Sequence, residues 1–348
     1  MKCALITGAS GFIGGAAAAF FIKEGWHVLA LIHRRTSPAL EQFAARGTAT
    51  LLRGDAADAS TFKGALAEVM KKREMRLDVV IHAAGRASDV GWPSAFRRSH
   101  VDSAREVARL AREYCSERMV LVSTTDVYGL RDFHGEGEDE LPLKAYPANS
   151  YPANKIAAEM VLRQELPQEG WSIVRPAFVW GTGDRTLMPR VVEFLKHSPW
   201  IVHFGPWRGR NRWPLAHVRN VAAAIFLAAT LPRAAGRAVN VLDDEHTSVD
   251  DYYRILIEMF MPRKMFRTVC LPFWTGCLAG SVSSMVSNVL NLDHPWFDPS
   301  YYAAYAVSRN LDFGDRRMKE WFAAGGAGLV TRDEGIRELR QAEKNSGF

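Results

Sequence analysis

Through the first half of the chain, short runs of consecutive apolar residues alternate with longer stretches of helical period. Val79-Val80-Ile81 is apolar at every position rather than at every second one, the pattern of a strand covered on both faces. The pattern predicts strands at residues 3–6, 27–32, 50–52, 79–82, 119–123 and 171–175. Helices are predicted between them at 14–23, 60–71, 99–114 and 152–164. Strands and helices in strict alternation imply the α/β class, a doubly wound parallel sheet between two helical layers. Beyond residue 176 the rhythm breaks into loops rich in Gly, Pro, Arg and Trp, followed by a helix at 218–230, a strand at 238–242 and a helix at 249–260. A smaller C-terminal lobe with late returns to the sheet is expected, with a charged helix after Arg332.

Composition narrows the class only a little. Of 348 residues, 48% are hydrophobic and 24% charged, ordinary values for a packed globular chain. Forty-four Lys and Arg against 38 Asp and Glu leave a net +6, with no clustered basic block, so no nucleic-acid partner is expected. The four cysteines, Cys3, Cys115, Cys270 and Cys277, are too scattered for a disulfide framework or a metal knuckle, which suits a reducing, cytoplasmic setting. His217, His246 and His294 are likewise too widely spaced for a metal site. The opening residues leave no room for the apolar core of a signal peptide before the glycine at position 8. Pro272, Gly276, Gly280 and several serines interrupt the apolar stretch 269–292, so no spanning helix is expected.

Candidate chemistry begins at Thr7-Gly8-Ala9-Ser10-Gly11-Phe12-Ile13-Gly14, between the first strand and an Ala-rich helix. Gly8 permits the tight turn, Gly11 the approach of a pyrophosphate, and Gly14 the packing of helix on strand. The helix N-terminus offers N–H donors to phosphate. This is a dinucleotide fingerprint of the Rossmann type. It assigns residues 1–175, with returns near 217–247, to cofactor binding, and 176–216 with 248–340 to a substrate lobe. Where an NAD site would carry an acid after the second strand, His33-Arg34-Arg35 stands instead, favouring NADP(H), with NAD(H) as the alternative. Tyr151 and Lys155 lie four apart on one helical face that Pro152 is suited to open. A neighbouring ammonium would lower the tyrosine pKa and fit it for proton exchange. Ser123-Thr124-Thr125, ending the fifth strand, would open hydroxyls into the same crevice.

These features together resemble the extended short-chain dehydrogenases/reductases. TGASGFIG at 7–14, GDAAD at 54–58, IHAAG at 81–85, LVSTTDVYG at 121–129 and YPANK at 151–155 occur in that family's order, and VRPAFVWGTGD at 174–184 falls where it turns to the substrate lobe. The resemblance implies that Thr124, Tyr151 and Lys155 are the catalytic residues, with Lys155 also holding the nicotinamide ribose. It places Gly8, Ser10, Gly11, Phe12, Ile13 and Gly14 against the cofactor, with Arg34 and Arg35 at the ribose phosphate. Asp55 and Ala56 would meet the adenine, Ala83, Ala84 and Gly85 would line the cofactor, and Pro176 and Phe178 would lie beside the nicotinamide. His100, where the family often has Asn, leaves the hydrogen bonding of its helix open, and Arg219 stands for a common Asp.

Two branches of the family compete. Phe178 and Trp213-Pro214-Leu215 resemble the 3β-hydroxysteroid dehydrogenase-like enzymes, implying oxidation or reduction of a secondary alcohol or ketone on a bulky apolar substrate such as a sterol, with a C4-demethylation step among the reactions the resemblance allows. Trp92, Trp180, Trp200, Trp207, Trp213, Trp274 and Trp296 can line an apolar pocket or fill the lobe's core. The run Arg208 to Arg212 can instead clamp a diphosphate, as a nucleotide-sugar epimerase or dehydratase with bound NAD requires, or be a solvated basic loop. The segment 264–292, basic at its start and apolar after, can rest peripherally on a membrane, cap the pocket or form a homodimer contact.

Overall fold

The computed structural model describes the chain except residues 89, 115, 146–149, 291, 293–294 and 347–348. Cys115 and His294 therefore lie outside the described residues. In chain order the strands are β1 (Cys3–Thr7), β2 (His27–Ile32), β3 (Ala49–Arg53), β4 (Val79–His82), β5 (Arg118–Val122), β6 (Phe133–Glu136) and β7 (Trp171–Pro176). They continue with β8 (Phe178–Trp180), β9 (Trp200–Phe204), β10 (Leu215–His217), β11 (Arg237–Val241), β12 (Arg267–Leu271) and β13 (Leu311–Phe313).

Seven of these form one parallel sheet in the order β11-β7-β5-β4-β1-β2-β3. Side chains alternate between its faces. Ala4, Ile6, Val28, Ala30, Val79 and Ile81 enter one core with the helices Phe12–Lys23 and Val218–Thr230. Cys3, Leu5, Leu29, Leu31, Val80 and Leu121 enter the other with the helices Ser103–Glu113 and Ser150–Glu165. Burial on both sides is why these strands read as unbroken apolar runs. This is the predicted doubly wound Rossmann-like fold. Its strand order reverses between β1 and β4, and the crevice at such a switch point is where these sheets bind ligands.

A third core, with Tyr128, Phe133, Trp180, Leu195, Trp213, Tyr252, Leu256 and Phe313, belongs to the smaller lobe, and three two-stranded pairs frame it: β10-β8, β12-β9 and β13-β6. The chain leaves the main sheet after β7 and returns as β11.

The helices predicted at 218–230 and 249–260 are found as Val218–Thr230 and Val249–Phe260. The helix predicted at 99–114 is not continuous. It runs as Pro93–Arg97, a wide π turn at Arg98–Asp102, and then Ser103–Glu113. The Ser103 hydroxyl donates to the Ser99 carbonyl at 2.7 Å, and its Oγ lies 3.1 Å from His82 Nε2, so side chains take part where the regular ladder is interrupted. Helices Pro38–Ala45 and Leu187–His197 were not anticipated, and both carry Pro in the first turn, where it costs no hydrogen bond.

Candidate active site

The glycine turn after β1 forms the floor of the crevice. Gly8 adopts φ +67°, and a Cβ there would meet Ala84 Cα and N at 2.8 Å. A Cβ at Gly14 would fall 2.2 Å from the Gly8 carbonyl oxygen, so only glycine lets the helix Phe12–Lys23 sit this close to the turn. Gly11 caps that helix without any side-chain hydrogen bond, which leaves its first N–H groups turned outward for a phosphate. The residues present thus fit a dinucleotide. Thr7 Oγ1 ties the turn to β4, lying 2.8 Å from His82 Nδ1 and accepting from the Ala84 N–H at 3.2 Å.

Across the crevice, β5 ends at Ser123-Thr124. Thr124 Oγ1 accepts the Asp126 N–H at 3.2 Å and is also hydrogen-bonded to Tyr151. Lys155, one helical turn beyond Tyr151, donates to the Val122 carbonyl at 2.8 Å and stands 5.7 Å from the Tyr151 ring centroid. Burial raises the Tyr151 phenol above its ordinary value, and the nearby Asp126 charge adds to this, while the Thr124 hydrogen bond pulls the other way. The expected lowering by the ammonium is therefore not what governs this tyrosine. Lys155 points at a backbone carbonyl, and desolvation brings its own pKa down to about 8. Tyr151 is left neutral at physiological pH, a proton donor by state.

Behind these residues lies a buried ionic cluster. Glu159, a turn after Lys155, receives a two-pronged hydrogen bond from Arg175 at 2.9 and 2.6 Å, and Arg175 also donates to the Tyr128 hydroxyl at 2.7 Å. Tyr128 in turn donates to Asn240 at 2.8 Å, joining the helix Ser150–Glu165 to β7 and β11.

His100 sits in the π turn with Nε2 3.1 Å from the Arg86 carbonyl and its ring edge-on to Tyr151 at 5.4 Å. This settles the open question about its helix: the imidazole serves the loop after β4 rather than the helical ladder. Burial, aided by the Lys155 charge, pushes His100 down to about 2 and His82 to about 3. Folding therefore excludes protons that the unfolded imidazoles bind near 6.5, and stability is complete above that pH and falls below it. Each such histidine should cost about 1.4 kcal/mol per pH unit between 6.5 and about 5. Melting temperature measured across that window should fall steadily as acid is added, and less steeply in His82→Gln; a flat profile in the parent chain would refute the coupling.

A single cavity of about 800 Å³ joins these parts. Its wall carries Gly8, Ser10, Gly11, Phe12, Ile13, Gly14, Ala83, Gly85, Thr124, Tyr151 and Phe178. Not all the expected residues reach it. Arg34 and Arg35 are exposed beyond the end of β2, Ala84 and Pro176 lie behind the wall, and Lys155 is buried beneath Tyr151. Asp55 binds the Ala57 N–H at 2.9 Å and Arg98 at 2.7 Å, contacts that hold its carboxyl below the usual range against the opposing effect of burial, and Ala56 flanks it. The far end of the cavity is aromatic: Phe178 stacks on Trp213 at 3.8 Å, and Phe194, Phe204, Tyr252 and Tyr302 complete it.

Two expectations about this chamber need correction. Of the seven tryptophans only Trp213 lines it; Trp180 is core, Trp207 is half-buried on Asp132, and Trp92, Trp200, Trp274 and Trp296 face outward. The run Arg208 to Arg212 is off the wall altogether. Arg212 is paired with Asp312 at 2.6 Å, and Asn211 is buried with its amide on the Val307 and Arg309 carbonyls, which removes the diphosphate clamp.

Residues 4–241 match the model of the NAD dependent epimerase/dehydratase family. The chain belongs to that family. It is an NAD(P)-dependent oxidoreductase of the extended short-chain dehydrogenase/reductase superfamily. It is 27% identical, over 97% of its length and 95% of the relative's, to a 4-hydroxy-2-methyl-3-oxo-4-farnesyl-3,4-dihydroquinoline-1-oxide ketoreductase of Stigmatella aurantiaca. A 2-alkyl-3-oxoalkanoate reductase of Stenotrophomonas maltophilia is 29% identical over 69% of this chain and 70% of its own. Among solved structures, dTDP-glucose 4,6-dehydratase of Bacillus anthracis in complex with NAD superposes with a TM-score of 0.71 at 17% identity, covering 99% of this chain and 97% of that one.

For a member of this family, the sequence reading missed several residues on the cavity wall: Ser37, Asp126, Arg185, and Arg190, which is paired with Asp298 at 2.5 Å. Ser37-Pro38 carries the signature of a helix start, and its hydroxyl caps Leu40 N at 3.4 Å. Asp126 follows the hydroxyl-rich strand end directly. The Arg190–Asp298 pair joins residues 108 apart and has no local signal. Among the described residues no group of His, Cys, Asp and Glu is placed to hold a metal, and no helix is long and apolar enough to cross a membrane.

Proposed function

We propose that this chain reduces a ketone to a secondary alcohol on a bulky apolar substrate and prefers NADPH as the donor. One observation carries the reading: the glycine turn and an aromatic chamber are two ends of one cavity, with Thr124 and Tyr151 on its wall and the Arg208 to Arg212 run outside it. The ketoreductase names of the two relatives described above point the same way. A sterol is the finer expectation within this class, its rings against Phe178, Trp213 and Tyr252 and its lone oxygen at Thr124 and Tyr151.

Residues 1–175 with the return at 217–247 take the cofactor in this reading, and 176–216 with 248–340 enclose the substrate. A bound reduced nicotinamide supplies the hydride that reaches the carbonyl carbon. Thr124 Oγ1 orients the carbonyl oxygen by a hydrogen bond. Tyr151 gives that oxygen its phenolic proton, so the π bond of the carbonyl is replaced by one C–H and one O–H bond while the C–O single bond remains. Lys155, held on the Val122 carbonyl, would leave that carbonyl to hold the ribose when the cofactor is bound.

NADPH preference rests on Arg34 and Arg35 at the end of β2 and on Ser37, which caps the N-terminus of the helix Pro38–Ala45 on the cavity wall, groups suited to a phosphate rather than a hydroxyl. Arg34→Asp should raise KM for NADPH by about 10–100-fold, the worth of a charge-assisted hydrogen bond, and leave KM for NADH unchanged. Initial rates with both cofactors against a panel of steroid ketones, alkyl 3-oxoacids and UDP-sugars test the whole reading. Turnover of an apolar ketone with NADPH supports it; epimerisation of a UDP-sugar without net redox overturns it.

A further inference from the structure

The helix Phe273–Val289 is built inside out. Its buried face is small: Gly276, Gly280, Ser283 and Ser287. A Cβ at Gly276 would strike the Phe204 ring at 2.7 Å and one at Gly280 the Tyr301 backbone N at 2.6 Å, so the helix lies as near the lobe as a backbone can. Its large side chains point the other way, with Trp274 64%, Leu278 60%, Met285 63% and Val289 76% exposed. A helix in water alone is expected to do the reverse. Trp296 and Phe297 are exposed near the end of the helix, their N–H groups held by Ser287 and Ser283, and Trp92 lies near it, for the Gly91 N–H donates to the Asn288 side chain at 3.1 Å.

We propose that this face docks the protein on an anionic phospholipid bilayer, lying in the surface rather than crossing it. Two observations choose that occupant. No acidic or basic residue occurs between Arg267 and Asp293, while the approach to the helix carries Arg263, Lys264 and Arg267 on a chain of net charge +6. Lone tryptophans at the two ends of an apolar stripe suit the boundary between headgroups and acyl chains.

The docking helix also lies near the cavity. Exposed Trp296 and Phe297 are flanked in the chain by Pro295, Asp298 and Pro299, which line the cavity, and the helix Tyr301–Ala306 lies between Gly280 and the chamber wall at Tyr302 and Ala303. A substrate dissolved in the bilayer would reach the chamber without crossing water. This last step rests on the proposed ketone reductase; the docking itself does not.

Flotation of the full chain with vesicles of phosphatidylcholine, with and without phosphatidylserine, tests the docking without any substrate. The chain should float with the anionic vesicles, and added salt should weaken the binding. Leu278→Glu and Met285→Glu should each lower the vesicle partition constant by about tenfold or more, with NADPH binding unchanged to report an intact fold. No flotation of the parent chain, or flotation indifferent to both substitutions, overturns the proposal. So does a dimer in light scattering that both substitutions dissociate, since a second copy would then cover the face. Flotation without ketone turnover would leave docking standing and sink only the proposed reaction.

Discussion

Tyr151→Phe should lower kcat for ketone reduction by about 10²–10⁴-fold, the range for loss of a positioned general acid, and leave NADPH affinity unchanged. The substitution removes one oxygen and keeps the ring that packs edge-on against His100 and under which Lys155 lies. Burial and the Asp126 charge keep the phenol protonated well past neutrality, so the lost group is a loaded donor and not a half-ionised one. Thr124 also carries a hydroxyl on the cavity wall, but it already serves the Asp126 N–H and its proton is far less acidic. Stopped-flow measurement of NADPH oxidation separates the effects: binding should be intact while the oxidation trace slows. Turnover within about tenfold of the parent would mean another group supplies the proton.

The sheet was legible because β1, β2 and β4 are buried on both faces, and that burial leaves an unbroken apolar run in the sequence. The glycine turn was legible for a related reason: contacts of 2.2 to 2.8 Å forbid any Cβ at Gly8 and Gly14, so the fold writes itself into residue identity. Tyr151 and Lys155 stand on one helix, and their spacing survives as a pattern four residues long. What stayed hidden was assembled from distant parts. The chamber takes Phe178 and Trp213 from one end of the lobe and Tyr252 and Tyr302 from elsewhere, and no periodicity links them.

Charge was read less well than shape. Arg208, Arg210 and Arg212 look like a clamp in sequence, yet Arg212 is committed to Asp312 across the lobe. Lys155 beside Tyr151 suggests a lowered phenol, but the burial that positions both groups opposes ionisation of either one. Composition counts residues; desolvation depends on where they end.

Arg175→Met should destabilise the fold by about 3–5 kcal/mol, the cost of removing one partner from a buried ion pair. Both side chains are nearly inaccessible, and the fork of Arg175 supplies two of the hydrogen bonds on Glu159. Arg163 alone, at 3.1 Å and partly exposed, is a poor replacement. Burial by itself would raise the Glu159 carboxyl; its guanidinium partner holds it below 4.5, so the pair contributes stability above that pH and loses it as the pH falls. In Arg175→Met the balance reverses and Glu159 should take up a proton more readily, making the variant comparatively less unstable in acid. Adding Glu159→Gln should recover part of the loss, because the orphaned charge disappears with it. The consequence reaches the active site, since Glu159 lies one turn from Lys155 and its charge is what opposes the fall of the lysine pKa. Urea unfolding of the two single variants and the double variant gives the coupling directly. Near-additive losses would mean that Arg175 and Glu159 stabilise the protein independently, and that the cluster behind Tyr151 is packing rather than an ion pair.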